Sequence, residues 1–152
     1  MIRIGIVGAE NSHSAAVAKT LNVHKRVPGC RVVAIWGETA EFATRTAETG
    51  QIPTIVKRTT HMIGMIDALI VDHRHARYHL PAAEPFLEAK LPMFIDKPFC
   101  WRLAEGKKFL ARARRLGVPV TGYSSVPTQR QFAAFGRKVG KGGAVRSCGT
   151  AG

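Results

Sequence analysis

Met1-Ile2-Arg3-Ile4-Gly5-Ile6-Val7-Gly8, running into Ala9-Glu10-Asn11-Ser12-His13 and then Ser14-Ala15-Ala16-Val17-Ala18-Lys19-Thr20-Leu21, decides the fold. Ile2, Ile4, Ile6 and Val7 form a short apolar run that stops at a glycine, the pattern of a buried strand in a parallel sheet. The alanine-rich segment that follows has the small residues a helix needs to lie close to that sheet. Asn11 or Ser12 offers the side-chain oxygen that caps its first turn. Strand, glycine turn and helix make the first half of a βαβ unit.

The same alternation continues outward. Pro28-Gly29 marks a turn, 31–36 reads as a second strand, and Gly37 ends it. A helix over 38–49 would turn Ala40, Phe42, Ala43 and Ala47 inward. A short third strand is expected at 54–56, a short helix at 59–65, and a wholly apolar fourth strand at 68–71. The next helix, 78–90, carries Pro81 in its first turn, where a missing N–H costs little, and Pro85 deeper, where it can shift the helix start. A fifth strand at 93–95 runs into Asp96-Lys97-Pro98. A basic amphipathic helix over 103–116, with Leu103, Phe109, Leu110, Ala113 and Leu116 as its apolar positions, stops at Gly117. A sixth strand spans 118–123.

Strands alternating with helices imply an α/β domain, a doubly wound parallel sheet of the Rossmann type, over 1–126. Beyond it, 127–135 can begin a helix, 138–143 is a Gly/Lys turn and 144–148 reads as one more strand. A lone strand cannot bury its own faces. Residues 127–152 are therefore read as a linker and the start of a truncated C-terminal α/β domain, with the second domain essentially absent.

Composition narrows the classes of function. The 152 residues are 45% hydrophobic, enough for one core. No apolar run reaches the roughly 18 residues of a membrane span, and the N-terminus lacks the features of a secretion signal, so a cytoplasmic protein with no membrane contact is expected. Cys30, Cys100 and Cys148 are widely spaced and form no Cys-x-x-Cys pair, which argues against a disulfide framework or zinc ribbon and for buried thiols. The net charge of +13 is lopsided: residues 97–152 carry 12 basic side chains and one acid, Glu105. Such a third is either a solvated helix face plus a charged tail, or a surface for phosphates, nucleic acid or an acidic partner. No nucleic-acid motif accompanies it, so nucleic acid is not an expected partner.

The first turn is where a dinucleotide pyrophosphate would rest, on backbone N–H groups at a helix N-terminus. The usual pattern is Gly-x-Gly-x-x-Gly. Gly8 keeps the first glycine, Glu10 stands at the second and His13 at the third. Gly8, Ala9, Asn11, Ser12 and His13 are the candidate pyrophosphate contacts, although a ligand-free turn accounts for the segment equally well. An acidic residue after the second strand often bonds the ribose hydroxyls. Glu38 is placed for this, or for the first turn of its helix, where negative charge is favoured. No arginine follows it directly, so no 2′-phosphate clamp is visible and the cofactor is NAD or NADP. Lys97 follows a buried strand at the carboxyl edge of the sheet, where ligands of open α/β sheets bind. A lysine there donates hydrogen bonds to a hydroxyl and, when partly buried, transfers protons.

The succession of the Gly8 turn, Asp67-Ala68-Leu69-Ile70-Val71, His79, Leu87-Glu88-Ala89-Lys90, Asp96-Lys97-Pro98, Val118-Pro119-Val120 and Gly122-Tyr123 resembles the glucose–fructose oxidoreductase, inositol dehydrogenase and MocA family. The resemblance implies an N-terminal Rossmann domain followed by a C-terminal α/β domain on a largely antiparallel sheet. It implies hydride transfer between NAD or NADP and a hydroxyl of a sugar, cyclitol or related polyol, by a homo-oligomer. The family's Glu-Lys-Pro signature stands here as Asp96-Lys97-Pro98, which implies that Lys97 lies between nicotinamide and substrate as the catalytic residue, with Asp96 and Pro98 beside the cofactor. His79 maps to the histidine before the helix that follows the fourth strand, and His75 is expected to line the same cleft.

Three departures accompany this likeness. The glycine fingerprint is eroded. The fourth loop reads Asp72-His73-Arg74-His75-Ala76-Arg77-Tyr78-His79 in place of a Pro-Asn turn. The family's catalytic Asp and His belong to the second domain, so this chain alone is expected to be incomplete as an enzyme. Asp72, His73, His75 and His79 also invite a zinc reading. Arg74 and Arg77 in the same loop oppose it, and no metal is expected. Against the enzyme stands a second class of function: a catalytically inactive Rossmann module that binds a nucleotide, a partner protein or nucleic acid through its basic C-terminal third.

Overall fold

The computed structural model describes residues 1–124. The helix expected over 127–135, the strand expected over 144–148 and Cys148 lie outside the described residues. Six strands form one parallel sheet: β1 (Ile2–Val7), β2 (Cys30–Trp36), β3 (Thr54–Ile55), β4 (Ala68–Val71), β5 (Met93–Ile95) and β6 (Val120–Thr121). Their spatial order is β3-β2-β1-β4-β5-β6. The chain leaves β1 in one direction to reach β2 and β3, then crosses back to lay down β4 on the other side. This is the doubly wound order, and it opens a crevice between β1 and β4 at the carboxyl ends of the strands.

Side chains on successive strand positions point to opposite faces, so an apolar run feeds two cores. Ile6, Val32 and Ile35 meet α1 (Ser12–Ala18) and α2 (Ala40–Gly50) through Ala18 and Ala47. Val7, Leu69, Val71 and Ile95 meet α3 (His79–Glu88) and α4 (Leu103–Leu116) through Phe86 and Phe109. Arg112 of α4 pairs with both Glu84 and Glu88 of α3, which lie one helical turn apart.

Several expected boundaries shift. The helix expected over 38–49 starts later, because the Thr39 hydroxyl caps it by accepting from the Phe42 N–H at 3.1 Å. Ala40, expected inside, occupies the exposed first position, Phe42 is half-buried, and Thr46 and Gly50 are buried instead. Asn11, not Ser12, caps α1, which passes into a π-helical turn over Lys19–Val23. The 59–65 helix is a 3₁₀ turn, Thr59–Met62. Pro85 does not move the start of α3: the helix begins at His79 after a 3₁₀ turn, Ala76–Tyr78, and carries Pro85 inside. On α4, Leu103 is 70% exposed, since it precedes the stripe of Gly106, Phe109 and Ala113 that faces inward. Leu110 and Leu116 are half-buried. Cys30 and Cys100 are half-buried free thiols, not fully buried ones. Among the described residues no helix is long and apolar enough to cross a membrane.

Phe86 has no exposed surface at the centre of the α3/α4 core. Phe86→Ala is expected to cost about 3–5 kcal/mol in urea unfolding. Leu103→Ala, an equally apolar deletion on an exposed helix start, is expected to stay within about 0.5 kcal/mol. Equal losses at the two positions would contradict this assignment of the core.

Candidate functional site

The turn after β1 lies against the turn after β4. Gly8 has φ +108°, and a Cβ built on it would come within 2.6–2.7 Å of the Asp72 carbonyl group and the His73 nitrogen. Two backbone segments therefore touch where any side chain would separate them. Gly37 does similar work behind the turn, where a Cβ would meet the Ala43 nitrogen at 2.8 Å and the Ala9 Cβ at 2.9 Å. With position 37 reserved for close packing, the acidic group falls to the next residue.

Glu38 reaches back over the turn. Its Oε2 accepts from the N–H groups of Ala9 at 2.8 Å and Glu10 at 3.0 Å, and its Oε1 lies 2.8 Å from Nδ1 of the buried His73. Burial alone pushes this carboxyl upward, but the bonds from His73, Ala9 and Glu10 outweigh it and hold the pKa at about 2. Glu38 thus braces the loop instead of serving the first turn of α2. Glu10 turns outward, its carboxylate 3.6 Å from the exposed Arg74 guanidinium.

A second group of side chains converges across the crevice. Asp72 is buried; its Oδ1 accepts from Asn11 Nδ2 at 3.0 Å, and Ser14 Oγ lies 2.5 Å from its Oδ2. Burial, reinforced by the charge of Asp96, pushes the Asp72 pKa up to about 6 against the pull of Ser14 and His13. Asp96, at the end of β5, accepts from Lys97 Nζ at 3.3 Å and lies 3.1 Å from His13 Nδ1. Its carboxyl is held below the usual range: hydrogen bonds from the Lys97 backbone and His13 overcome the effect of burial. His13, Asp72, Asp96 and Lys97 share a cleft of about 430 Å³ floored by Ile70 and Phe94.

The expected residues thus divide. Gly8, Ala9, Asn11, His13, Glu38, Asp96 and Lys97 come together at the carboxyl edge of the sheet, and Ser12 is exposed at the start of α1. His79 does not line the cleft. It has no exposed surface, and its ring nitrogens lie 3.0 Å from the Pro98 carbonyl and 2.8 Å from the His73 carbonyl, stapling the β4 and β5 loops together. Pro98 contributes that carbonyl. His75 is exposed elsewhere, its ring centroid 5.0 Å from that of Trp101. The four-residue zinc set dissolves, because His73 is engaged by Glu38, His75 by Trp101 and His79 by the two carbonyls. Ser14 and the pairing of His73 with Glu38 were not foreseen. A serine inside an alanine-rich helix and a histidine 35 residues from its partner carry no linear signal.

The NAD-binding Rossmann model of the GFO_IDH_MocA oxidoreductase family matches residues 2–123. The chain belongs to this family. No curated protein is a significant match. Solved structures share the fold of this Gfo/Idh/MocA chain at low identity. Synechocystis biliverdin reductase, in complex with biliverdin and NADP+, has a TM-score of 0.77 and 21% identity over 92% of the chain. An Agrobacterium radiobacter oxidoreductase in complex with NAD+, L-tartaric acid and magnesium has a TM-score of 0.74 and 15% identity over 93%. Apo scyllo-inositol dehydrogenase from Lactobacillus casei has a TM-score of 0.74 and 16% identity over 93%. The chain spans 43%, 40% and 42% of these three structures.

Glu38 gives a pH prediction for the domain. A carboxyl lowered from 4.5 to about 2 by folding adds stability that is present above pH 4.5 and is lost as the pH falls toward 2. Glu38→Gln is expected to cost on the order of 2 kcal/mol at pH 7 in urea unfolding. The gap to the unsubstituted chain closes between pH 4.5 and 2. A gap that persists unchanged at pH 2 would mean that the charge of Glu38 is not what braces the turn.

Proposed function

We propose that this chain is the cofactor-binding part of an NAD(P)-dependent oxidoreductase that acts on a hydroxyl-bearing carbon of a sugar, cyclitol or related polyol. The observation that carries the reading is that the Gly8 turn packs at the switch point of the sheet against Asp72, which lines the cleft that holds Lys97, while Glu38 braces the same turn from the end of β2.

The residues present fit a dinucleotide. Gly8 keeps the turn free of a Cβ, and the Ser12 N–H stands at the N-terminus of α1, where phosphate oxygens are favoured, while the His13 N–H is taken by the Asn11 cap at 3.3 Å. Glu38 takes the Ala9 and Glu10 N–H groups and leaves that helix start to the pyrophosphate. Oε1 of Glu38 keeps acceptor capacity beyond its contact with His73 for one ribose hydroxyl, and the carboxylate repels a 2′-phosphate, so NAD is preferred over NADP. Arg74 offsets the charge of Glu10.

The bound nicotinamide supplies the redox chemistry. Lys97, half-exposed at the mouth of the cleft, would donate a hydrogen bond to the reacting oxygen and, in the direction of carbonyl reduction, give it the proton. Asp96 accepts from Lys97 and from His13, and so sets the direction of the ammonium group. His79 keeps its mapped position but acts from behind, holding the loops that carry Asp72 and Lys97. The likeness to polyol and sugar enzymes supports the substrate class.

A titration followed by nicotinamide fluorescence and thermal shift tests the reading. NADH is expected to bind saturably and more tightly than NADPH. Glu38→Ala is expected to weaken NADH about tenfold and narrow the preference. Gly8→Asp is expected to abolish binding of both. A folded chain that binds neither dinucleotide would overturn the proposal and favour a module that keeps the fold without the cofactor.

A further inference from the structure

Three of this chain's departures from the family pattern meet at one point. His13 stands where the fingerprint has its third glycine. Asp72 opens the unusual fourth loop. Asp96 replaces the glutamate of the Glu-Lys-Pro triplet. Far apart in sequence and carried by α1, the β4 loop and the β5 loop, they bring one imidazole nitrogen and two carboxylate oxygens within 4.8 Å of one another. We propose that His13, Asp72 and Asp96 form a binding site for a divalent transition cation of the Zn²⁺ class.

The spacing suits such an ion. His13 Nδ1 is 3.1 Å from Asp96 Oδ2 and 3.9 Å from Asp72 Oδ1. Ligands about 2.0–2.2 Å from a zinc ion lie roughly 3–4 Å from one another, so the ion needs little rearrangement. The donors are held as metal ligands are held. Asn11 Nδ2 bonds one oxygen of Asp72 and Ser14 Oγ the other. Outer partners of this kind fix a ligating carboxylate in place. Both carboxylate side chains are more than nine-tenths buried, while His13 is half-exposed on the cleft side, which gives an ion a way in.

Charge favours the same conclusion. Two buried carboxylates lie beside one imidazole, and the neighbouring cation, Lys97, 3.3 Å from Asp96, is half-exposed, so that solvent screens its charge. One nitrogen and two oxygens suit zinc, manganese or iron(II), whereas magnesium prefers oxygen ligands and keeps its water. The remaining coordination positions open onto the cleft lined by Ile70, Phe94 and Lys97. An ion there would present a Lewis-acidic face to an oxygen ligand beside Lys97. The site does not depend on the dinucleotide reading, since its three ligands need no cofactor to meet.

Isothermal titration of the full chain with ZnCl₂, after EDTA treatment and without dinucleotide, tests the proposal. Co²⁺ serves as a spectroscopic substitute. One tight ion per chain is expected, with visible Co²⁺ bands. His13→Ala is expected to weaken Zn²⁺ by at least about tenfold, and Asp96→Asn to do the same in a second variant. His61→Ala, an exposed histidine outside the cluster, is expected to leave binding unchanged. Far-UV circular dichroism of each variant separates lost ligation from lost folding. Failure to bind Zn²⁺, or binding that survives both His13→Ala and Asp96→Asn in folded protein, overturns the site. NADH titrations run in EDTA report on the cofactor separately, so the two readings fail independently.

Discussion

The close crossing of two backbones, Gly8 over Asp72 and His73, is the contact on which the rest of the site depends. It occurs where the chain reverses its direction of winding, between β1 and β4. Apolar strands bring these turns together, and the missing Cβ lets them touch. Once they touch, Ser14 and Asn11 of the first turn reach Asp72 of the second, and Glu38 reaches His73. A side chain at position 8 would pry these bonds apart together. The eroded fingerprint therefore keeps the one glycine that the protein's own backbone requires. The second position, where a glycine lets the backbone approach a ligand's phosphates, holds Glu10, and the third, where a glycine lets helix and strand pack closely, holds His13.

Glu38, Asp72 and Asp96 set the electrostatics of the crevice. Loop N–H groups that commonly face a ligand are partly engaged by Glu38, while the inner wall holds two buried carboxylates beside one histidine. Burying a carboxylate costs energy unless hydrogen bonds or a neighbouring charge offset it. Asp72 meets that cost with two hydrogen bonds and a raised pKa, and Asp96 with His13 and Lys97. Lys97 is accordingly held by the same network that crowds negative charge into the cleft. Catalytic positioning and the proposed cation site draw on one set of groups.

The fold was legible in the sequence because β4 and β5 are uninterrupted apolar runs that end at Asp72 and Asp96, because β1 carries Ile2, Ile4, Ile6 and Val7 up to Gly8, and because helices separate them. Helix limits were less legible, since they depend on single side chains: the hydroxyl of Thr39 starts α2, and Leu103 matches the apolar stripe of α4 yet precedes the turns that pack. Pro85 inside α3 shows tertiary packing overriding local preference. In the site, position along the fold placed Glu38 and Lys97 correctly at the sheet edge. The contacts of His75 with Trp101 and of His79 with two loop carbonyls were not legible, because a histidine's neighbours across loops have no linear spacing. The convergence of His13 with Asp96, 83 residues away, became visible only once the strand order was known.

The central claim is that the crevice built on the Gly8 crossing is where a dinucleotide binds. Backbone amide NMR spectra recorded with and without NAD test it directly. The account predicts resonance shifts at residues 8–13, 38, 72–73 and 96–97, with the outer face of α4 unchanged. Shifts concentrated on the basic face of α4, with residues 8–13 silent, would contradict it.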